Sequence, residues 1–273
     1  MQTISTQWQS KPIYPKGIIC GSDQEQEWLL PWWWSRLRDH NDHPVVFCDF
    51  GMSEEALQWC RERGEVIPVA FDPSKVAQKG EVDPALVKLW ENCYTSTVWD
   101  FRHVWFKKPF AFLRSPFQKN LWLDLDCEVL GSIDPLFEMC NAESQLGIMR
   151  EFTLTHLPRF HPGALYNSGV IVSEHGAPLI EKWAEGSLTM THEFWGDEVL
   201  LSHLINTMGI YVNEIPGIFN WRVSQGININ AIICHWVGCG GKVFIKEFGG
   251  FKPTLEQFQR SCKNGQSRQD PPH

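Results

Sequence analysis

The chain has 273 residues, of which 43% are hydrophobic, and a net charge of -8. This apolar content is enough for a sizeable core, in one large domain or two small ones. Because no block rich in Lys or Arg occurs, the acidic chain lacks the basic face of a general nucleic-acid binder. We therefore expect no nucleic-acid partner.

Targeting and membrane signals are missing from the sequence. No run approaches the roughly 18 apolar residues of a membrane span, so no transmembrane segment is expected. The first residues, MQTISTQWQSKPIYPKG, lack the apolar stretch of a signal peptide. Nine scattered cysteines without a CxxC pair argue against a zinc module or a disulfide framework. We expect a cytoplasmic protein with mostly buried free thiols, while secretion by a signal-less route stays open.

The first 70 residues alternate between strand and helix patterns. Strands are predicted at 17–22, 44–51 and 65–71, and helices at 24–39 and from Ser53 to about Arg63. Pro31, near the start of the first helix, is expected to delay or kink it. This alternation predicts a parallel sheet with crossover helices.

Ligands of such sheets bind beyond the carboxyl ends of the strands. Ser22, Asp23, Asp49 and Phe50 stand at two of these ends. They are therefore candidate nucleotide contacts, and the alternative is that they only form turns and caps.

The remaining chain continues the α/β pattern. Residues 72–83 form a predicted loop, and 84–115 are predicted to be helical in two pieces broken near Pro109. Further strands are predicted at 121–126, 145–150, 166–173, 210–215 and 229–236, and further helices at 177–186 and 193–209. With no repeat and no linker, residues 1–262 are expected to form a single domain, followed by a flexible tail at 263–273.

The stretch LWLDLD, residues 121–126, carries two aspartates in an apolar run. In a strand, Trp122, Asp124 and Asp126 share one face, and the three leucines share the other. The two aspartates are then about 6.6 Å apart at the backbone and can converge on one cation. Two solvated acids at a strand end are the alternative.

An apolar strand followed by Asp-x-Asp resembles motifs of two families. In haloacid-dehalogenase-like phosphatases the first aspartate, here Asp124, is the nucleophile. That reading fits poorly, because about 120 residues precede the motif and Glu128 stands where this family prefers Thr or Val. Residues 196–198, Gly-Asp-Glu, could imitate the later acidic motif of that family. In GT-A glycosyltransferases the same pattern binds a divalent metal ion.

Four motifs occur in the order found in family 8 glycosyltransferases, the glycogenin and galactosyltransferase group. They are KKPFAFLRSPFQKNLWLDLDCEV (107–129), YNSGVIV (166–172), WGDEVLLSHLIN (195–206) and HWVGCGGK (235–242). The chain resembles this family over about 107–242 and more loosely over its first 70 residues. The resemblance implies the GT-A fold, an α/β architecture with a mixed, mostly parallel central sheet flanked by helices.

The resemblance also implies an activity. It is the transfer of a hexose, with retention, from a nucleotide-sugar such as UDP-glucose or UDP-galactose to an unknown acceptor, which is a glycan, a protein or a small molecule. The implied cofactor is Mn²⁺ or Mg²⁺, held by Asp124, Asp126 and His235. Two carboxylates and one imidazole form a mixed oxygen and nitrogen site, which suits Mn²⁺ and can take Mg²⁺. A zinc site built only from Cys and His would have a different set of ligands.

The implied donor site contains residues of these motifs and residues at the ends of the first two strands. Asp197 is the candidate catalytic carboxylate, although retaining enzymes of this fold have no agreed protein nucleophile, and a first-turn acid favoured by the helix dipole is the alternative. Lys108 and Arg114 are candidate phosphate contacts, with solvated helix charges as the alternative. The full set of donor-binding candidates is Ser22, Asp49, Lys108, Arg114, Asp124, Leu125, Asn167, Ser168, Asp197, Gly238 and Lys242.

Two positions depart from the family pattern. Glu198 stands where Gln is usual, and Lys242 follows His235 by seven residues where six are usual. The second departure predicts a bulged loop or another phosphate ligand.

Two further functions stay open. One is a non-catalytic sugar-nucleotide-binding protein. The other is a nucleotidyltransferase, although GIICGSDQ lacks the basic residue that such an enzyme needs after its first strand.

Overall fold

The computed structural model describes residues 4–9, 11–141, 143–144, 146–151, 163–253 and 256. The strands are β1 (Tyr14–Ser22), β2 (Val45–Asp49), β3 (Glu65–Pro68), β4 (Phe117–Leu123), β5 (Cys127–Val129), β6 (Leu146–Arg150), β7 (Tyr166–Glu174), β8 (Asn213–Glu214), β9 (Trp221–Arg222) and β10 (Ile233–His235). The helices are α1 (Leu30–Arg38), α2 (Glu54–Arg61), α3 (Pro84–Tyr94), α4 (Val98–Trp105), α5 (Lys108–Leu113), α6 (Pro178–Thr189), α7 (Asp197–Met208) and α8 (Gly238–Phe248). The predicted tail at 263–273 lies outside the described residues.

Seven strands form the central sheet, in the order β3-β2-β1-β4-β7-β6-β8. Of these seven, β7 runs antiparallel to both of its neighbours, β4 and β6, and the other pairings are parallel. A small second sheet has the order β5-β10-β9. The predicted mixed, mostly parallel sheet flanked by helices is therefore confirmed.

Alternate residues of the central strands face two separate hydrophobic layers. Ile19 and Trp122 pack with residues of α3 to α7 on one side of the sheet. Ile18 and Leu121 pack with residues of α1, α2 and α8 on the other. This separation follows from the period of two along a strand, which the sequence already showed at LWLDLD.

Prolines decide where two of the helices begin. The region 84–115 forms three helices rather than the predicted two, and Pro109 lies in the first turn of α5 instead of breaking a helix. Pro31 occupies the same place in α1, which starts at Leu30 rather than near residue 24. Proline fits a first turn because its missing N–H would have no partner there.

Several predicted strands are shorter in the structure. β3 ends at Pro68, β8 contains two residues, and β10 begins only at Ile233. The flanking backbone is used elsewhere: Ile210 N–H donates to Ile205 O at the end of α7, and Ala231 N–H donates to Asn228 O in a turn. An apolar run therefore overestimates strand length where neighbouring backbone groups compete for the same hydrogen bonds.

Arg102, on α4, is a buried guanidinium that joins separate segments. It donates to Trp195 O at 3.3 Å, to Phe194 O at 2.7 Å, and to the carbonyls of Ala77 and Thr191. Burial lowers the pKa of Arg102 to about 10. Because this value is still well above neutral pH, the guanidinium stays protonated. Arg102 thus fixes the segment that leads into α7.

The cysteines are mostly buried free thiols, as the sequence predicted. The eight cysteines within the described residues are free thiols, and six of them are buried. In the part of the chain that the structure describes, none of the helices combines the length and apolarity that a bilayer crossing requires.

Candidate active site

The two aspartates lie on a turn that connects the two sheets. β4 ends at Leu123, so the predicted strand through Asp126 is too long, and Asp124–Asp126 turn the chain into β5. Asp124 N–H donates to Gly169 O of β7, and Trp236 N–H, just after β10, donates to Asp126 O, both at 2.9 Å. These bonds hold the turn between β7 and β10.

His235 reaches the turn because β10 pairs with β5. In that pairing His235 lies opposite Cys127. Its Nε2 is 3.3 Å from Asp126 Oδ1 and 3.9 Å from Asp124 Oδ2. The structure therefore brings together the three side chains predicted to bind a metal ion.

Lys242 joins this cluster from α8. The predicted bulged loop after His235 is wrong: α8 begins at Gly238 and carries Lys242 within its first two turns. Lys242 Nζ lies 2.7 Å from Asp126 Oδ2. Gly241 allows this approach, because a Cβ there would lie 2.2 Å from Trp236 O.

Charge pairing decides the protonation of Asp126 and Lys242. Burial by itself would raise the pKa of Asp126, but the Lys242 ammonium holds it well below its usual range. Burial would lower the pKa of Lys242, and Asp126 raises it above the ordinary lysine value. Both groups are therefore charged near neutral pH.

Lys108 forms a second buried cluster on the other side of Asp124. Its Nζ lies 3.1 Å from Asp124 Oδ1, 3.2 Å from Asp197 Oδ2 and 3.0 Å from Ser168 O. Burial would lower the pKa of Lys108, but the two aspartates raise it. Trp122 Nε1 also donates to Asp124 Oδ1, at 2.6 Å. Lys108 is thus a buried counter-ion and not a solvated helix charge.

Asp197 and Glu198 occupy the first turn of α7, where the helix dipole favours negative charge. Ser168 Oγ donates to Asp197 Oδ2 at 2.9 Å, and Asn167 Nδ2 donates to Glu198 Oε2 at 2.9 Å. Burial, followed by the neighbouring Asp197 charge, raises the pKa of Glu198 to about 8. The Glu198 carboxyl is therefore largely protonated at neutral pH. A neutral carboxyl is more similar to the amide of Gln, the residue that is usual at this position.

Replacing Glu198 by Gln should remove a pH-dependent loss of stability. The unfolded chain releases the Glu198 proton near pH 4.3, whereas the folded protein keeps it to about pH 8. Because the folded state binds more protons in this window, Glu198 reduces stability progressively as pH rises through it. We expect the melting temperature of Glu198→Gln to exceed that of the wild type by several degrees near pH 9.

Thermal denaturation of both proteins near pH 5 and near pH 9 measures this difference. The gap between the two melting temperatures should widen with pH, because other titrating groups are common to both proteins. A gap that is equal at the two pH values would show that Glu198 titrates normally.

Other predicted donor contacts have structural roles that the geometry shows. Asp49 Oδ1 accepts from Gly51 N–H and Met52 N–H, both at 2.8 Å, which is the turn role of the alternative. Ser22 is buried and donates to Asp23 O at 3.0 Å.

The two remaining donor candidates reach the site less directly. The Leu125 side chain packs into the core, so its predicted donor contact is limited to the backbone. Arg114 follows the end of α5, and among the described contacts none links it to the aspartates. Its role stays a prediction.

The cluster suits a divalent ion by its donors and by its charge. Ligand atoms of Asp126, Cys127 and His235 lie within 4.8 Å of one another. Burial raises the pKa of the Cys127 thiol well above its usual value, so the harder Asp124 carboxylate is the better third ligand for Mn²⁺ or Mg²⁺. Three aspartates face two lysines here, which leaves negative charge for a cation to neutralise.

Sequence reasoning missed several members of this site. Asn220 contacts both His235 and Asn167 but carries no motif, and Arg222 pairs with the buried Glu151. Trp122 could have been found, since the alternation in LWLDLD already placed its indole on the face of Asp124.

Comparisons with protein-family models and with curated proteins found no match. Solved structures do match. The galactosyltransferase LgtC, in complex with donor and acceptor sugar analogues, has a TM-score of 0.58 and 12% identity, over 84% of this chain and 94% of that one. The glycosyltransferase GlyE of Streptococcus pneumoniae TIGR4 has a TM-score of 0.52 and 16% identity, over 82% of this chain. The bifunctional glycosyltransferase WbbM has a TM-score of 0.57 and 10% identity, over 92% of this chain.

The chain spans about half of the length of GlyE and WbbM, 55% and 53%. At these identities the likeness is one of fold. The chain has the GT-A fold of glycosyltransferases.

Proposed function

We propose that the chain is a metal-dependent glycosyltransferase that moves a hexose from a UDP-sugar to an acceptor with retention of configuration. The observation that carries this proposal is the meeting of Asp124, Asp126, His235 and Lys242 at the carboxyl edge of a GT-A sheet. Ligands of open α/β sheets bind at this edge.

The proposed donor diphosphate lies beside this cluster. Asp124, Asp126 and His235 would hold Mn²⁺ or Mg²⁺, which when bound neutralises charge on the departing nucleoside diphosphate. Lys242, whose ammonium pairs with Asp126, would also supply positive charge to the diphosphate oxygens. The backbone at Gly238, where α8 begins, adds N–H donors.

The proposed sugar site lies between α5, β7 and α7. Asp197 and Ser168 present a carboxylate and a hydroxyl there, and Lys108 holds Asp197 in place at 3.2 Å. The Asn167 amide is hydrogen-bonded at both ends within the protein. We therefore assign Asn167 to holding Glu198, and Asp197 to contact with the sugar.

The nucleoside would lie along the ends of β1 and β2. Ser22, Asp49 and the backbone of Leu125 are its proposed contacts, and Arg114 is a further candidate. These assignments rest on position at the sheet edge.

Calorimetric titration with UDP, with and without Mn²⁺, tests the metal dependence. We expect wild-type binding to require Mn²⁺, and Asp126→Asn to weaken it at least about tenfold, because one ligand charge is lost. Asp134→Asn is the matched control, since Asp134 also pairs with a lysine, Lys16, but is exposed and has its described contacts with Lys16, His43 and Ser132. Metal-independent binding, or no binding, would contradict the proposal.

Hydrolysis of UDP-glucose and UDP-galactose in the absence of an acceptor then tests catalysis. Slow release of one hexose would identify the donor and support a transferase. UDP binding without release of either sugar would instead indicate a non-catalytic sugar-nucleotide-binding protein.

A further inference from the structure

The His235 ring is held from two directions in a buried site. On one side, Gly169 leaves room for the imidazole, because a Cβ at Gly169 would lie 2.1 Å from His235 Cε1. On the other, Asn220 Oδ1 lies 2.8 Å from His235 Nδ1. Asn220 is fully buried and His235 is 4% exposed. The ring therefore has one orientation, with Nε2 toward the aspartate turn.

A chain of hydrogen bonds determines which end of the Asn220 amide faces the ring. A backbone N–H can only donate, so Gly169 N–H requires the oxygen of Asn167 at 3.0 Å. Asn220 Nδ2 donates to that same oxygen at 2.8 Å, which turns Asn220 Oδ1 toward His235. The orientation of both amides thus follows from one backbone group.

We infer that Asn220 is a positioning residue that accepts the Nδ1 proton of His235 and thereby leaves Nε2 as the ligand nitrogen facing Asp126. The inference rests on the proposed function where it assigns Nε2 to a metal ion. A histidine ligand commonly donates its other ring N–H to a partner that fixes its tautomer. Asn220 supplies this partner.

Asp126 makes this partner necessary. Its Oδ1 lies 3.3 Å from Nε2 and would attract a proton to that nitrogen. A proton on Nε2 occupies the lone pair that a metal ion needs. With Nδ1–H held by Asn220, the neutral ring keeps its lone pair on Nε2. Without Asn220, the carboxylate favours the opposite tautomer.

The tautomer is measured directly by long-range ¹H–¹⁵N NMR of the metal-free protein at a pH where the ring is neutral, with His235→Gln to assign the signal. We expect the Nδ1–H tautomer in the wild type and the Nε2–H tautomer in Asn220→Leu. Asn220→Asp keeps an acceptor toward Nδ1, and in its protonated form its hydroxyl replaces the Nδ2 donor toward Asn167 Oδ1, so it should restore Nδ1–H. An Nε2–H tautomer in the wild type would overturn the inference, and this result does not depend on the folding of Asn220→Leu.

Calorimetry with Mn²⁺ alone provides the second readout. We expect Asn220→Leu to bind Mn²⁺ about 10- to 100-fold more weakly, and Asn220→Asp to recover affinity to within about threefold of the wild type. Asn41→Leu is the control, because the Asn41 amide is also buried and bonded at both ends, to Gly131 O and Ile133 N–H, away from the site. It should bind Mn²⁺ normally.

The two failures can be told apart. If the wild type binds no Mn²⁺, the proposed function fails, and the NMR tautomer still decides the role of Asn220. If the wild type binds Mn²⁺ and a folded Asn220→Leu binds it equally well, the positioning role is overturned while the metal site stands.

Discussion

Replacing Asp197 by Asn is expected to lower sugar-transfer turnover by about a hundred- to a thousandfold. Asp197 Oδ2 is held by Ser168 and Lys108 and faces the proposed sugar site, so its charge is oriented before the donor arrives. Asn keeps the size of the side chain and removes that charge. Because Asp197 is not a proposed metal ligand, affinities for Mn²⁺ and UDP should stay within about threefold of the wild type.

Steady-state kinetics with the donor identified by the hydrolysis screen, combined with UDP titration, measures both effects. A fall in kcat with little change in UDP affinity places Asp197 at the reacting sugar. Asp134→Asn, at an exposed aspartate that also pairs with a lysine, should show wild-type kinetics. If turnover of Asp197→Asn stays within tenfold of the wild type, Asp197 is not a catalytic residue.

Replacing Arg102 by Lys is expected to reduce the free energy of unfolding by about 2–4 kcal/mol. The guanidinium donates to four carbonyls in a buried site and stacks against the Trp90 ring, with its carbon 4.8 Å from the ring centre. A lysine ammonium has three donors and no planar face, so buried carbonyls lose partners. Urea denaturation of the two proteins measures the difference.

Arg38→Lys is the matched control for this loss. Arg38 also donates to two carbonyls, of Asn41 and His43, and lies over the Trp34 ring at 4.1 Å, but its site is partly exposed. Water can replace its lost bonds, so we expect a change below about 1 kcal/mol. Equal losses at Arg38 and Arg102 would show that burial is not the cause.

The central sheet could be predicted closely from local sequence patterns. The alternation of strands and helices in the first 70 residues and the period of two in LWLDLD both depend on near neighbours in the chain, so they could be predicted. Strand ends could not be predicted: β4 stops at Leu123 because Leu125 and Asp126 form a turn that leads into β5. The helix that replaces the expected loop after His235 likewise depends on packing of Gly241 against Trp236.

By itself, the sequence determined which side chains have the right chemistry: two aspartates two residues apart, a distant histidine, and a lysine beyond it. Only the tertiary structure decided how they are compensated. Lys108 reaches Asp124 from 16 residues away, Lys242 reaches Asp126 from 116 residues away, and Asn220 orients His235 from a segment without a motif. These contacts depend on strand register and on where helices begin. Neither property leaves a regular spacing in the chain, because the partners belong to different elements.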